Sequence, residues 1–234
     1  MRPLFQKILR WFGKFCLWFF IVSVILTLLF RFLPVFYTPL MLQRSLEYAW
    51  DGKSVPFQKE WVSMDEISDN LALAVVCSED QNFEEHNGFD FDAIEKAIEE
   101  NKKRRKKGRT IHGASTISQQ TAKNLFLLPT RSLWRKGLEV YFTILIETLW
   151  SKERIMEVYL NEIEMGEGIY GAQAASKAYF GKNAKDLRPS EAALIAAVLP
   201  NPRKWSPNDP TGYISKRQRW IMRQMNAWEG NKDF

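Results

Sequence analysis

The sequence predicts a mainly α protein, with a single transmembrane helix ahead of a helical body. Three observations carry that expectation. The stretch "FCLWFFIVSVILTLLF", Phe15 to Phe30, contains no charged residue. Beyond it, apolar residues recur at helical spacing, in segments opened by capping residues and closed by glycine or proline. No strand-like alternation of useful length interrupts them.

A span needs about 20 residues, at roughly 1.5 Å rise, to cross a hydrocarbon core of about 30 Å. Phe15 to Phe36 meets that requirement if Arg31 snorkels to the interface. The run is too long for the apolar part of a signal peptide, and no small-x-small site follows it, so the span is expected to stay uncleaved. The chain then divides into a basic tail (1–14), the span (15–36), a connector (37–61) and the body (62–234). Arg2, Lys7, Arg10 and Lys14 crowd the N-terminal flank, which places the start in the cytoplasm and the body outside.

The 234 residues carry 33 basic and 27 acidic side chains, a formal charge of +6. Five of those cations fall in the first 31 residues, which hold no acid, so the remainder is near neutrality. That distribution does not describe a nucleic-acid-binding globule. The run "KKRRKKGR", Lys102 to Arg109, lacks interleaved aromatics and reads as a solvated loop or a contact for lipid phosphates. Cys16 lies in the span and Cys77 in an apolar run, so no disulfide framework is available.

Within the body, Ser63 and Glu66 form a capping-box pattern expected to open a helix through Ser78, apolar all round from Leu71 to Cys77 and therefore enclosed. A short helix from Asp92 is expected to dissolve into the basic run. Thr116 with Gln119 repeats the capping box and opens a helix through Leu125. Ser132 caps a long helix through "LWRKGLEVYFTILIETLW", and "KERIMEVYLNEI" forms the next. "AQAASKAYFG" is stopped by Gly181, "SEAALIAAVL" starts at Pro189, and an amphipathic helix covers much of Tyr213 to Trp228.

The chemistry-bearing residues cluster where apolar helices end. "SEDQNFEEHNGFD" follows the enclosed helix directly, and Glu79 stands where that helix emerges. Partial desolvation there would raise its pKa towards that of a general base; a solvated C-terminal acid fits the same pattern. His86 precedes a turn at Asn87 and Gly88, a place where histidines hydrogen-bond structurally. "HGASTISQQTAKN" sets Thr116, Gln119, Gln120 and Lys123 on one helical face, suited to a phosphate or equally to a plain polar surface. In "RSLWRKGLE", Arg131, Arg135 and Lys136 precede Glu139 at the edge of another apolar helix. Glu139 is either an ion-paired acid or the second member of a carboxylate pair with Glu79. Glu147 reads as a paired buried acid.

These residues resemble the peptidoglycan glycosyltransferases. Glu79, Asp80, Phe83, His86 and Gly88 match the family's first motif, Glu-Asp-x-x-Phe-x-x-His-x-Gly. "GASTISQQTAKN" is similar to the second, with Ala114 in place of a glycine and Ser118 in place of a threonine. Arg135, Lys136 and Glu139 match Arg-Lys-x-x-Glu, and "RIMEVYLNEIEMGEGIYG" and "EAALIAAVLPNPRKWSP" are similar to the last two. The match runs in order from Glu79 to about Pro207.

The resemblance implies a lysozyme-like, two-lobed helical domain that polymerises lipid II. It makes Glu79 the general base and Glu139 the second acid, near the leaving group and able to work through a divalent metal (Mg2+ or Mn2+), with no tightly bound cofactor. Lys123 and Arg131 fall at pyrophosphate-binding positions, and Ser115, Gln119, Gln120 and Asn124 at substrate-binding ones. Asp80, Phe83, His86, Gly88, Arg135 and Lys136 support them. The expected partners are lipid II, the growing lipid-linked strand, the membrane, and other cell-wall synthesis or division proteins, with no nucleic acid. No Ser-x-x-Lys or Lys-Thr-Gly motif occurs, so a monofunctional enzyme without transpeptidase activity is expected. A cell-wall hydrolase or lytic transglycosylase would have no use for the Gln-Gln…Lys-Asn face. A non-catalytic wall-binding protein would leave two acids beside apolar helices unexplained.

Overall fold

Helix α1 (Arg2–Phe30) is the first element of the computed structural model, which describes residues 2–52, 54, 57–106, 108, 113–130 and 132–229. Its segment Phe5–Phe30 is long and apolar enough to cross a membrane. The expected span ran on to residue 36, but the helix stops at Phe30. The apolar run that follows is held to the body instead: Arg154 donates to the Phe30 and Leu33 carbonyls at 2.7 and 2.6 Å, and Val35 is 1% exposed. The end of α1 also lies against the body, with Trp150 Nε1 donating to the Thr27 carbonyl at 2.8 Å and Ser23 Oγ 2.5 Å from the Tyr141 hydroxyl.

The expected connector contains a helix, α2 (Pro39–Trp50), capped by Thr38 and pinned by buried Leu40, Met41 and Tyr48. Strand β1 (Gln58–Lys59) follows. Lys59 Nζ lies 2.6 Å from Glu162 and donates to the Val35 carbonyl at 2.7 Å, tying the stretch after α1 to the body. Burial pushes Glu162 up to about 7 and Lys59 down, each shift opposed by the partner's charge.

The capping box at Ser63 is present, yet it opens only a 3₁₀ turn, Met64–Glu66. Ile67 then turns extended and buries its side chain, so α3 (Asp69–Glu79) takes Ser68 as its own cap. Helix α4 (Phe91–Lys106) runs into the basic stretch rather than dissolving. Four cations, Lys103 to Lys106, fill its last turn, where they complement the negative end of the helix dipole. Arg109 lies outside the described residues.

The remaining helices are α5 (Ile117–Phe126), α6 (Leu133–Leu149), α7 (Lys152–Glu162), α8 (Ala172–Phe180), α9 (Pro189–Val198) and α10 (Gly212–Glu229). They make the mainly α class expected. Two groups pack together: α3 against α9 and α10, and α5 against α6 and α7. Helix α9 is apolar on every face because it is enclosed; six of its residues are buried. Burial also raises the Cys77 thiol to about 11, leaving it an inert core group.

The small sheet was not expected. Strands β2 (Glu164–Gly166) and β3 (Ile169–Tyr170) complete the order β1-β3-β2, with β1 parallel and β2 antiparallel to β3. Two or three residues are too few for alternation to be visible. Gly171 closes this region at φ +82°, and a Cβ there would lie 2.7 Å from the Asn161 carbonyl oxygen. Asn161 in turn accepts from Val62 N and donates to Val62 O. Gly171→Ala is expected to cost about 2–4 kcal/mol, from backbone strain plus overpacking, read as a lowered midpoint in thermal unfolding.

Candidate active site

Glu79 is the last residue of α3. The helix buries its other faces, so its end delivers the carboxylate to the wall of a cleft of about 330 Å³, shared with Ser78, Asp80, Ser115, Thr116 and Trp220. Gln120 Nε2 donates to Glu79 Oε2 at 3.1 Å, and Ser78 Oγ donates to Oε1 at 3.3 Å. Arg217, from α10, donates to Ser78 Oγ at 2.8 Å and stands 3.5 Å from Glu79 Oε1. Burial raises the Glu79 pKa; the Gln120 bond, the Arg217 charge, Ser78 and Lys123 oppose the shift. Partial desolvation beside such partners is what a general base requires.

The other first-motif residues hold that end in place. Asp80 is buried and accepts from the Ile117 amide at 2.9 Å, placing a carboxylate at the positive end of α5. His86 Nε2 lies 2.9 Å from Asp80, while His86 Nδ1 accepts from Gly88 N at 3.1 Å. That acceptor role leaves the ring proton on Nε2, facing Asp80. Phe83 is fully buried. Gly88 has φ +86°, and a Cβ there would meet Thr143 Cγ2 at 2.7 Å. Thr116 Oγ1 donates to the Gly88 carbonyl, joining the first motif to the second.

On α5, Gln120 faces Glu79, whereas Gln119 turns inward. Its Oε1 accepts from Thr116 N to complete the capping box, and it is 4% exposed. The helix start therefore takes one of the polar atoms of the side chain expected to meet substrate. Ser115 is exposed on the cleft wall and Asn124 is half-buried. Burial lowers the Lys123 pKa; the Glu139 charge opposes this, Arg135 and Lys136 add to it, and Glu79 opposes it. Lys123 thus feels both acids.

Glu139, 3% exposed, accepts from Arg135 Nη1 at 2.6 Å and pairs with Lys136. It is not among the residues lining the Glu79 cleft. Both its oxygens are taken by cations, and among the described residues no three His, Cys, Asp or Glu side chains are grouped to hold a metal. A divalent ion at Glu139 would find this one carboxylate, shared with Arg135 and Lys136, and would take its other ligands from substrate phosphates. Arg131 lies outside the described residues.

The family model for Transglycosylase matches residues 50–226. The chain belongs to the Transglycosylase family. It is 54% identical over 226 residues to a biosynthetic peptidoglycan transglycosylase of Bacteroides thetaiotaomicron, covering 96% of this chain and 90% of that protein. A protein of the same description from Bdellovibrio bacteriovorus is 53% identical, with 96% and 88% covered. One from Pseudomonas syringae is 51% identical, with 97% and 94% covered.

Some residues that shape this Transglycosylase site escaped the sequence reading. Arg217 sits on a helix read only as amphipathic. Glu147 is the paired acid expected, but its partners matter more than its pairing. It accepts from Ser118 Oγ and from Lys152 Nζ, and Lys152 Nζ also donates to the His86 carbonyl at 2.5 Å and lies 4.6 Å from the Phe83 ring centroid. A hydroxyl at position 118 is the sequence signal for this clamp, and serine supplies it as threonine would.

Proposed function

We propose that the protein polymerises lipid II into β-1,4-linked glycan strands. The observation carrying this reading is the desolvated Glu79 carboxylate, aimed by Gln120 and Arg217 into the cleft, with Lys123 close by. Glu79 takes the proton from the acceptor sugar's 4-hydroxyl. The oxygen forms a bond to C1 of the donor's muramic acid as the bond from C1 to the pyrophosphate oxygen breaks, inverting that carbon. Undecaprenyl pyrophosphate leaves with its charge met by Lys123 and Arg131, while Arg135 and Lys136 hold Glu139, whose charge acts on Lys123. Relatives described as peptidoglycan transglycosylases support the reaction class.

Labelled lipid II given to the purified full-length protein tests the reading. Longer glycan chains are expected; shortened wall polymer would mark a hydrolase, and no turnover would mark a binding protein. The rate should also follow a bell in pH. The Glu79 base, raised by burial, is lost as pH falls through a value above 4.5. The Lys123 cation, lowered by burial, is lost as pH rises through a value below 10.5. An acid limb of kcat/KM at or under 4.5 would contradict the assignment.

The basic flank of α1 supports a cytoplasmic start and an outer-face body, where a lipid-borne donor is within reach. A reporter fused after residue 234 should be active only outside the cytoplasm.

A further inference from the structure

A second cavity, of about 270 Å³, lies between α2 and the sheet, apart from the Glu79 cleft, with Gly168 and Tyr170 at the end of the fourth motif on its wall. Arg44, Tyr48, Phe57 and Tyr170 line it, with Ser45 and Ser54. Its polar atoms are poorly spent. Arg44 Nε and the Tyr170 hydroxyl are buried with no hydrogen-bond partner among the described residues, as is Oε1 of neighbouring Glu164, while the Tyr48 hydroxyl meets only Arg203. Tyr170 is 1% exposed and Tyr48 8%, so bulk water does not satisfy them. Buried polar groups are otherwise almost always bonded. The Arg44 guanidinium is only half engaged: Nη1 bonds Glu47 at 2.5 Å, while Nε stays 3.7 Å from Glu164.

The chemistry of the wall narrows the ligand. Among the described residues the charges acting on Glu164 are Arg44 and Arg203 against Glu167 and Glu47. Two cations face three acids once Glu164 itself is included, leaving no surplus positive charge for a phosphate or other dianion. What remains is an uncharged ligand with both donors and acceptors, able to lie against the open edge of Phe57. That ring is fixed between Tyr37 and Tyr170, at centroid distances of 5.5 and 5.3 Å. A sugar ring has this character: C–H bonds on its faces, hydroxyls on its rim. The volume falls just under the range of about 300–1,000 Å³ for larger ligands and suits a single ring.

We propose that this cavity is a second saccharide subsite, holding one ring of a glycan outside the reaction cleft. The choice of an amino-sugar glycan as its ligand rests on the polymerase reading above. The subsite would give a strand a further point of attachment next to the membrane helix without taking part in bond formation.

The test uses the full-length protein carrying Glu79→Gln, titrated with chitotriose and followed by saturation-transfer NMR. Saturable binding is expected. Ser45→Trp, at an exposed rim position of α2, should abolish the component due to this site. Tyr170→Phe removes a hydroxyl that holds nothing in the protein, so folding should be kept while binding weakens by about fivefold. Binding indifferent to both substitutions would overturn the proposal. So would saturable binding, sensitive to Ser45→Trp, of phosphoethanolamine or alanine in place of the sugar. Lipid II polymerisation measured on the Ser45→Trp protein with Glu79 intact separates the two readings. An active Ser45→Trp protein whose chitotriose binding matches that of the unsubstituted chain leaves the polymerase standing and overturns the subsite, whereas binding lost on Ser45→Trp in a protein that is inactive even with Ser45 and Glu79 intact does the reverse.

Discussion

Glu79→Gln should leave the protein folded and lower lipid II polymerisation by at least about 10²-fold, the usual contribution of a positioned base. The substitution keeps the shape of the side chain and its capacity to bond Gln120 and Ser78. It removes the ability to take a proton, together with the buried negative charge. Folding should in fact improve. A carboxylate whose folded pKa is raised above 4.5 costs stability wherever it is ionised, and that cost disappears as pH falls below the unfolded value. The variant should therefore melt above the wild type at pH 7, with the gap closing below about pH 4. Near-normal turnover would remove Glu79 from the mechanism. A variant less stable at pH 7 would show that the carboxylate is not the strained group described here.

The second large effect concerns stability. Lys59→Met should cost about 3–5 kcal/mol, the loss expected when one member of a buried ion pair is removed. Glu162 would keep its burial without its cation, and the Val35 and Phe36 carbonyls would lose their donor. Lys59→Met combined with Glu162→Gln should recover much of the loss, because the stranded charge is then gone. Thermal unfolding in detergent, at fixed detergent concentration, measures both. A single variant as stable as the wild type would show that the pair is not coupled to folding.

Much of this was legible in the chain. Caps at Thr116 and Ser132, the stop at Gly181 and the start at Pro189 act through neighbours a few residues away, and short-range signals survive in a linear reading. The end of the span was misplaced for a related reason. Val35 is apolar because it enters the core, and an apolar residue does not declare whether lipid or protein surrounds it. Gln119 and Gln120 were indistinguishable as letters; one turn of helix sends the first into a cap and the second to Glu79. Arg217 could not be found at all. It reaches Glu79 from 138 positions away, and only the packing of α10 on α3 brings them together.

The grip of Arg154 and Lys59 on the carbonyls just beyond α1, together with the contacts at Thr27 and Ser23, has a mechanical outcome. A leash would let the enzyme drift above the lipid surface, whereas this attachment behaves as a strut. If α1 spans a membrane, the distance from its end to the Glu79 cleft is then a built-in dimension of the molecule, set where the strut is bolted to its load.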